Sequence, residues 1–176
     1  MALTAEMKQL INEMANEVIR QYNITIPITN IDEVVRRMNG SIQENSAIDG
    51  FSDGRIRKDG SSSFVIEVSP FQTVERRNFT VAHEIGHLFL HMGFMTNESR
   101  WNSQKNITYY RNGNLESEYQ SNEFAAAFLM PEDEYERIMD KNTEGNLVNT
   151  LEIARYFHVS VDAAANRGKW LGFLKW

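Results

Sequence analysis

The sequence contains no cysteine among its 176 residues. Disulfide bonds and thiolate metal sites are therefore excluded, and any bound metal must take nitrogen and oxygen ligands. Also missing is an uninterrupted run of about 20 apolar residues, the length that spans a bilayer. The first residues, MALTAEMKQLINEM, lack the basic segment and apolar run of a secretory signal peptide. These absences together predict a cytoplasmic protein.

Positive charge is in the minority, with 18 Lys and Arg against 24 Asp and Glu and a formal net charge of −6. Nonspecific nucleic-acid binding depends on clustered Lys and Arg, so this balance argues against it. Proline is scarce too, with three residues, and neither a repeat nor a low-complexity linker divides the chain. The length and composition predict a single domain over residues 1–176.

The periodicity of apolar residues predicts a mostly helical chain with one region of strands. Asp59-Gly60 is a hairpin signal between two strand-like segments, and the alternation in residues 64–68 is typical of a half-buried strand. Helices are predicted at about 3–21, 30–38, 71–92, 115–130 and 131–140, with a C-terminal helix pair at about 147–174. The pattern predicts an α+β fold in which a small, mainly antiparallel sheet packs on the helix at 71–92.

Three of the four histidines recur every fourth residue within that helix, in the segment HEIGHLFLH. His83 and His87 are one turn apart on one face, so their imidazoles can converge on one metal ion. Glu84 lies one position beyond His83 and can act as a general base beside that ion. HExxH also arises by chance, but its place on a helix with apolar flanks favours a metal site. We therefore predict His83 and His87 as metal ligands and Glu84 as the catalytic residue.

Gly86, in the middle of the same motif, is unusual in a helix interior, where glycine costs about 1 kcal/mol relative to alanine. A glycine kept there allows the close approach of another backbone. We expect a neighbouring strand or a substrate backbone to fill that role.

A catalytic zinc takes three protein ligands as a rule, and the third is open at this point. His91 is close in sequence, but a straight helix does not easily wrap three successive turns around one ion. The second helix offers three carboxylates in LESEYQSNEFAAAFLMP, namely Glu116, Glu118 and Glu123. Glu118 is modestly favoured because Asn122, one turn later, could orient a ligand histidine. For at least two of the three glutamates, a solvated helix face is the simpler interpretation.

The run RRNFTVAHEIGHLFLH, followed about thirty residues later by ESEYQSNEFAAAFLMP, resembles the ImmA/IrrE family of zinc metallopeptidases. The closing segment VSVDAAANRGKWLGFL is similar as well, and the resemblance covers roughly residues 30–174. Departures occur at Gln120 and Ser121, where the family commonly has Glu and Ala. Those changes leave the ligand positions intact and bear more on local packing.

The resemblance implies a zincin-like metallopeptidase domain that binds Zn²⁺ through His83, His87 and Glu118. It implies that Glu84 is the catalytic base, which takes a proton from water and delivers it to the leaving amine. Asn122 matches the polar residue beside a zinc histidine. A cationic or phenolic group would stabilise the oxyanion, and Tyr109, Tyr110 and Arg111 are candidates.

Members of that family are typically bacterial or phage proteins, and several cleave, or promote cleavage of, a helix-turn-helix regulator, beside which some are encoded on mobile elements. The resemblance therefore implies a metalloendopeptidase whose partner is a protein substrate, a transcriptional repressor, with no membrane partner. The alternative is a non-proteolytic regulatory or toxin–antitoxin module that binds such a regulator.

The C-terminal helix pair itself could be interpreted as a DNA-binding helix-turn-helix. Its second helix begins SVDAAAN, with few long side chains to contact base edges. We therefore expect the pair to pack against the rest of the domain, with no direct nucleic-acid partner. His158, at the turn between the two helices, is expected to be a turn or surface histidine.

Overall fold

Eight helices and five strands make up the part of the chain that the computed structural model describes, residues 3–48, 53–105 and 115–175. In chain order these are α1 Ala5–Gln21, α2 Ile31–Arg37, β1 Gly40–Glu44, β2 Gly54–Lys58, β3 Phe64–Val68, α3 Val74–Leu90, α4 Glu98–Ser103, α5 Leu115–Leu129, α6 Glu132–Lys141, β4 Thr143–Glu144, β5 Leu147–Val148, α7 Thr150–Phe157 and α8 Val161–Trp170. The predicted α+β class is confirmed.

Short polar side chains determine where most of these helices begin. A Ser, Thr or Asn side chain accepts a hydrogen bond from the backbone N–H three residues later, which satisfies a donor that the first turn leaves free. This arrangement occurs at Thr4, Asn30, Thr73, Asn97, Asn149 and Ser160. The helix that carries HEIGH therefore begins at Val74, three residues later than the sequence suggested.

The three-stranded sheet has β3 at its centre, parallel to β1 and antiparallel to β2. All five residues of β3 are buried, so the predicted half-buried strand is wrong. Even Glu67 is covered, because Arg55 and Asn45 each place a nitrogen 2.7 Å from its Oε2. The predicted hairpin between β2 and β3 is present, but its connection spans residues 59–63, with a hydrogen bond from the Asp59 N–H to Ser63 O of 2.8 Å.

Helices α3 and α5 pack against each other in the middle of the molecule, and Gly86 lies at their contact. A Cβ at Gly86 would lie 3.1 Å from Ser121 Cα and 3.2 Å from Ser121 O. The partner that requires glycine is therefore the backbone of α5. The expectation of a strand or a substrate backbone is wrong, because β2 and β3 contact α3 elsewhere.

The C-terminal helices dock on the rest of the chain through buried polar contacts. Tyr135 in α6 donates a 2.7 Å hydrogen bond to Ala164 O in α8, and Arg167 Nε donates to Met130 O at 3.0 Å. Between the two helices, His158 adopts a left-handed conformation (φ 54°) and is exposed. None of the helices in the described ranges combines the length and apolar character needed to cross a membrane.

Candidate metal centre

Two imidazoles of α3 converge because the helical repeat places them one turn apart on the same face. The ring centroids of His83 and His87 are 4.7 Å apart, and their Nε2 atoms are 3.0 Å apart. His87 is buried and His83 is mostly buried, with 16% of its side chain exposed. The two nitrogens thus face the same small volume at the surface of the α3–α5 pair.

The third donor comes from α5. The Glu118 carboxylate spans both rings, with Oε2 3.2 Å from His83 Nε2 and Oε1 3.4 Å from His87 Nε2. Its side chain is half exposed, so the convergent atoms open toward solvent. Within the described residues, His83, His87 and Glu118 are the one group of three such side chains whose ligand atoms come together closely enough to hold a metal ion.

The spacing of these atoms agrees with tetrahedral coordination. Ligands about 2.0–2.1 Å from a tetrahedral ion lie about 3.3–3.4 Å from one another. The two Nε2 atoms are 3.0 Å apart, Glu118 Oε2 lies 3.2 Å from His83 Nε2, and the other carboxylate oxygen, Oε1, lies 3.4 Å from His87 Nε2. Two imidazole nitrogens and a carboxylate oxygen are also donors that divalent transition metals accept.

Glu84 is buried beside this cluster, against the start of β2. Gly54 allows the approach, since a Cβ there would lie 2.5 Å from Thr80 Cγ2 and 3.3 Å from Glu84 Oε1. Burial raises the pKa of Glu84 to about 7; the charge of His83 lowers the pKa and that of Glu118 raises it. A carboxyl group that titrates near neutral pH can both accept and release a proton there.

The two histidines respond differently to their surroundings. Burial and the neighbouring charge of His83 lower the pKa of His87 to about 3, so its ring is neutral at ordinary pH. Burial also lowers the pKa of His83, but the hydrogen bond to Glu118 and the charge of Glu84 outweigh it and the pKa rises. The same hydrogen bond lowers the pKa of Glu118. These shifts keep a neutral imidazole and a carboxylate on the convergent face.

Hydrogen bonds behind the rings orient them. Asn122 Oδ1 lies 2.9 Å from His83 Nδ1 and accepts from it, so Nε2 is the nitrogen of His83 that faces the cluster. Behind His87, Nδ1 lies 3.1 Å from Ser121 Oγ and 3.0 Å from His91 Nδ1. His91 is thus outside the group of convergent donors but touches one of them.

The other sequence candidates lie elsewhere. Glu123 is buried on a different side of α5, where it contacts Asn12 and Arg167. Glu116 accepts a 3.4 Å hydrogen bond from Gln120 Nε2 and is exposed. The candidates for oxyanion stabilisation, Tyr109, Tyr110 and Arg111, lie outside the described residues.

Sequence reasoning missed four residues that contact the site: Gly54, Gln120, Ser121 and, as a partner of His87, His91. In the sequence, Gln120 and Ser121 stand out only as departures from a family pattern. No sequence pattern indicated that Gly54 lies near the site, because its contact with Glu84 in α3 joins residues 30 positions apart in sequence.

A family profile described as the IrrE N-terminal-like domain, of peptidase family M78, matches residues 35–169. The match covers well over half of the chain and includes both helices that carry the cluster. No curated protein matches the sequence.

Eleven chains of solved structures are similar to this one. Among them is a Mycobacterium tuberculosis transcriptional regulator, with a TM-score of 0.59 and 16% sequence identity, over 90% of this chain and 46% of that chain. At that identity the likeness shows the fold alone. This chain spans about half the length of that regulator.

Proposed function

The chain belongs to the IrrE N-terminal-like family of metallopeptidases, as its resemblance to the ImmA/IrrE family predicted, and from this premise we propose that it is a zinc-dependent endopeptidase. The observation that carries the proposal is the convergence of His83, His87 and Glu118 beside the buried carboxyl of Glu84. The proposed substrate is a helix-turn-helix transcription regulator.

Zinc is the proposed metal because the donor set and its spacing suit it. Two imidazoles and one carboxylate are a common ligand set of catalytic zinc in peptidases. The half-exposed Glu118 leaves room on the solvent side for a substrate. Zinc held by these residues would supply Lewis-acid activation of a water molecule and of the scissile carbonyl.

Glu84 is the proposed general base. Its carboxylate accepts a proton from the attacking water, holds it on a carboxyl oxygen, and delivers it to the nitrogen of the leaving amine. The raised pKa of Glu84, about 7, supports this role, because the group can exchange a proton in both directions near neutral pH. Asn122 keeps His83 Nε2 directed at the cluster throughout.

The substrate class rests on the family resemblance, since regulators of helix-turn-helix type are cleaved by several members. A peptidase domain acts on protein, and such regulators work in the cytoplasm, so the proposal locates the chain there. The substrate to test is a regulator of this type, chosen first from those encoded beside the gene for this chain.

The first experiment mixes the zinc-loaded chain with that regulator and follows the products by mass spectrometry. We expect one or a few defined cleavages, abolished by a chelator. Glu84→Gln should reduce the cleavage rate by about 10²–10⁴-fold, the usual contribution of a general base, and retain zinc. Cleavage at the wild-type rate by this variant would reject the role of Glu84. A stable complex without cleavage would favour a non-proteolytic binding module.

The second experiment measures the zinc content of Glu118→Ala by elemental analysis. The variant loses one of three ligands, so we expect clearly less than one zinc per chain after dialysis against a weak chelator. Glu136→Ala, on the exposed side of α6, is the matched control and should keep wild-type zinc content. An unchanged zinc content in Glu118→Ala would reject that ligand.

A further inference from the structure

Three side chains, those of His87, His91 and Gln120, form a hydrogen-bonded row that extends away from the cluster. His91, at the C-terminal end of α3, places its Nδ1 3.0 Å from His87 Nδ1. On its other edge, His91 Nε2 lies 2.9 Å from Gln120 Oε1. The two imidazole rings are tilted by 50° with their centroids 5.1 Å apart, so the contact is edge to edge.

The direction of these hydrogen bonds follows from Gln120, the residue of the row that is farthest from the cluster. A carbonyl oxygen can only accept, so Gln120 Oε1 requires the hydrogen to be on His91 Nε2. The orientation of the Gln120 amide is itself determined by Glu116, because Gln120 Nε2 donates to Glu116 Oε1 at 3.4 Å. The reversed amide would direct its oxygen at a carboxylate, which also only accepts.

A neutral imidazole with hydrogen on Nε2 has a free lone pair on Nδ1. His91 Nδ1 is therefore an acceptor, and the hydrogen between the two rings belongs to His87 Nδ1. The lone pair of His87 is then on Nε2, the atom that lies 3.0 Å from His83 Nε2 and 3.4 Å from Glu118 Oε1. This is the atom that a metal ligand must leave unprotonated.

Ser121 also contacts His87 Nδ1, at 3.1 Å, but cannot determine the tautomer. A hydroxyl group donates as readily as it accepts, so Ser121 would suit either tautomer of His87. His91, held by Gln120, offers His87 Nδ1 an acceptor at 3.0 Å. On the other edge of the His87 ring, Glu118 Oε1 is an acceptor that favours hydrogen on Nε2, but its 3.4 Å separation is long for a charge-assisted hydrogen bond, which is usually about 2.7–2.9 Å. The closer acceptor, His91, therefore favours hydrogen on Nδ1.

We propose that His91 is a positioning residue for the metal centre, which keeps His87 in the tautomer that is protonated on Nδ1 and directs its Nε2 at the metal. The proposal rests on the proposed function, since it assumes that His87 binds the metal. Loss of such an outer partner lowers metal affinity by about 10–100-fold in proteins where it has been tested.

The first test reads the tautomers directly in metal-free protein by long-range ¹H–¹⁵N NMR at pH 8. The chain has four histidines, so single substitutions assign every ring. We expect His87 to carry its hydrogen on Nδ1 and His91 to carry its hydrogen on Nε2. A His87 protonated on Nε2, or one that averages equally between both forms, would overturn the proposal.

The second test compares two substitutions of His91 by competition for zinc with a chromophoric chelator. His91→Phe keeps an aromatic ring and removes the acceptor, and we expect zinc affinity to fall by about 10–100-fold. His91→Asn can place an amide oxygen near the position of Nδ1 and should recover most of that loss. The matched control is His158→Asn, since His158 is exposed at the α7–α8 turn and should leave zinc affinity unchanged.

The NMR experiment is repeated on His91→Phe, where His87 should populate both tautomers if the variant is folded. If His91→Phe binds zinc as tightly as the wild type, the role of His91 is wrong and the proposed function is unaffected. If His91→Asn is no better than His91→Phe, the acceptor is not what matters and the proposal is again overturned. A wild-type chain that binds no zinc would overturn the proposed function and this role with it.

Discussion

At the residue scale, Glu84 combines two properties that seldom occur together, a carboxyl group and almost complete burial. The charged form of a carboxyl group is disfavoured where water is excluded, and no Lys or Arg is among the groups that shift its pKa. The raised pKa is therefore a stability cost of the folded state as well as a property useful for proton transfer.

The effect of pH on that cost can be predicted. Because the pKa of Glu84 rises from 4.5 to about 7 on folding, the folded state binds this proton more tightly, and its stability falls as pH rises between these values. Glu84→Gln removes the ionisation. In metal-free protein we expect the variant to gain about 2–3 kcal/mol relative to wild type between pH 5 and pH 8.

The measurement is urea unfolding of both proteins in the presence of a chelator at the two pH values. A difference in unfolding free energy that is the same at pH 5 and pH 8 would contradict a buried, titrating Glu84. The charge of Glu84 also raises the pKa of His83, so the comparison measures the titration of this coupled pair.

Gln120 and Ser121 contact histidines at the candidate metal centre, which the sequence did not predict. As departures from a family pattern, they were expected to affect local packing more than the metal site. In the structure, Gln120 accepts from His91 and Ser121 contacts both His87 and the backbone of Gly86. Ser121 is therefore one hydrogen bond away from the proposed ligand His87, and Gln120 is two hydrogen bonds away, through His91.

At the scale of elements, the candidate metal centre depends on the distance between α3 and α5. The two histidines are on one helix and Glu118 is on the other, so the separation of the helices determines whether all three donors converge. Gly86 permits the close approach, with Ser121 Cα near the position that a Cβ would occupy.

Gly86→Ala is the corresponding test. Alanine favours the helix by about 1 kcal/mol, but its Cβ would lie 3.1 Å from Ser121 Cα and 3.3 Å from Phe124 Cβ. Because the first obstacle is backbone, α5 must shift, and we expect a net loss of about 1–2 kcal/mol in unfolding free energy. The shift moves Glu118 away from the histidines and should weaken zinc binding.

Gly168→Ala in α8 provides the control. Its Cβ would collide with Tyr135 Oη and the Leu174 side chain, so it should also destabilise the protein. It is remote from α3, so zinc affinity, measured with a chromophoric chelator under folding conditions, should not change. Equal loss of affinity in both variants would mean that general destabilisation is responsible, contrary to our expectation.

At the scale of the whole molecule, a buried polar network joins the first and last helices. Arg167 in α8 donates to Asn12 Oδ1 in α1 at 2.7 Å and approaches Glu123 Oε1 in α5 at 3.3 Å, while Asn12 Nδ2 donates to Glu123 at 2.7 Å. The side chain of Arg167 is 2% exposed. One apolar cluster, whose members extend in sequence from Ile11 to Ala164, includes residues of the same three helices. We propose that the chain folds as a single unit.

Arg167→Met should therefore destabilise the entire molecule. It leaves the buried Glu123 without its cation, and removing one partner of a buried ion pair costs about 3–5 kcal/mol. Thermal unfolding, followed by circular dichroism, should shift to lower temperature and stay a single transition. The double variant Arg167→Met, Glu123→Gln removes both charges and should recover part of the loss. Two separate transitions in wild type or variant would argue against one unit.

Local periodicity in the sequence was sufficient to predict the convergent histidines and the fold class. An i, i+4 pair of histidines faces one side of a helix in any fold, so HEIGH predicted convergent imidazoles. The α+β class followed from the switch between helical and alternating patterns. Each of these features is a property of a few consecutive residues, which is why the sequence alone determined them.

Long-range contacts determined the rest. Which of Glu116, Glu118 and Glu123 lies beside the histidines depends on the rotation of α5 against α3, and the partner of Gly86 depends on the same packing. Strand β3 is buried on both faces because other elements cover it, although its alternation predicted otherwise. The raised pKa of Glu84 reflects burial by segments distant in sequence. Only the tertiary structure could decide these points, because solvent exclusion and the distance between helices are properties of the assembled core.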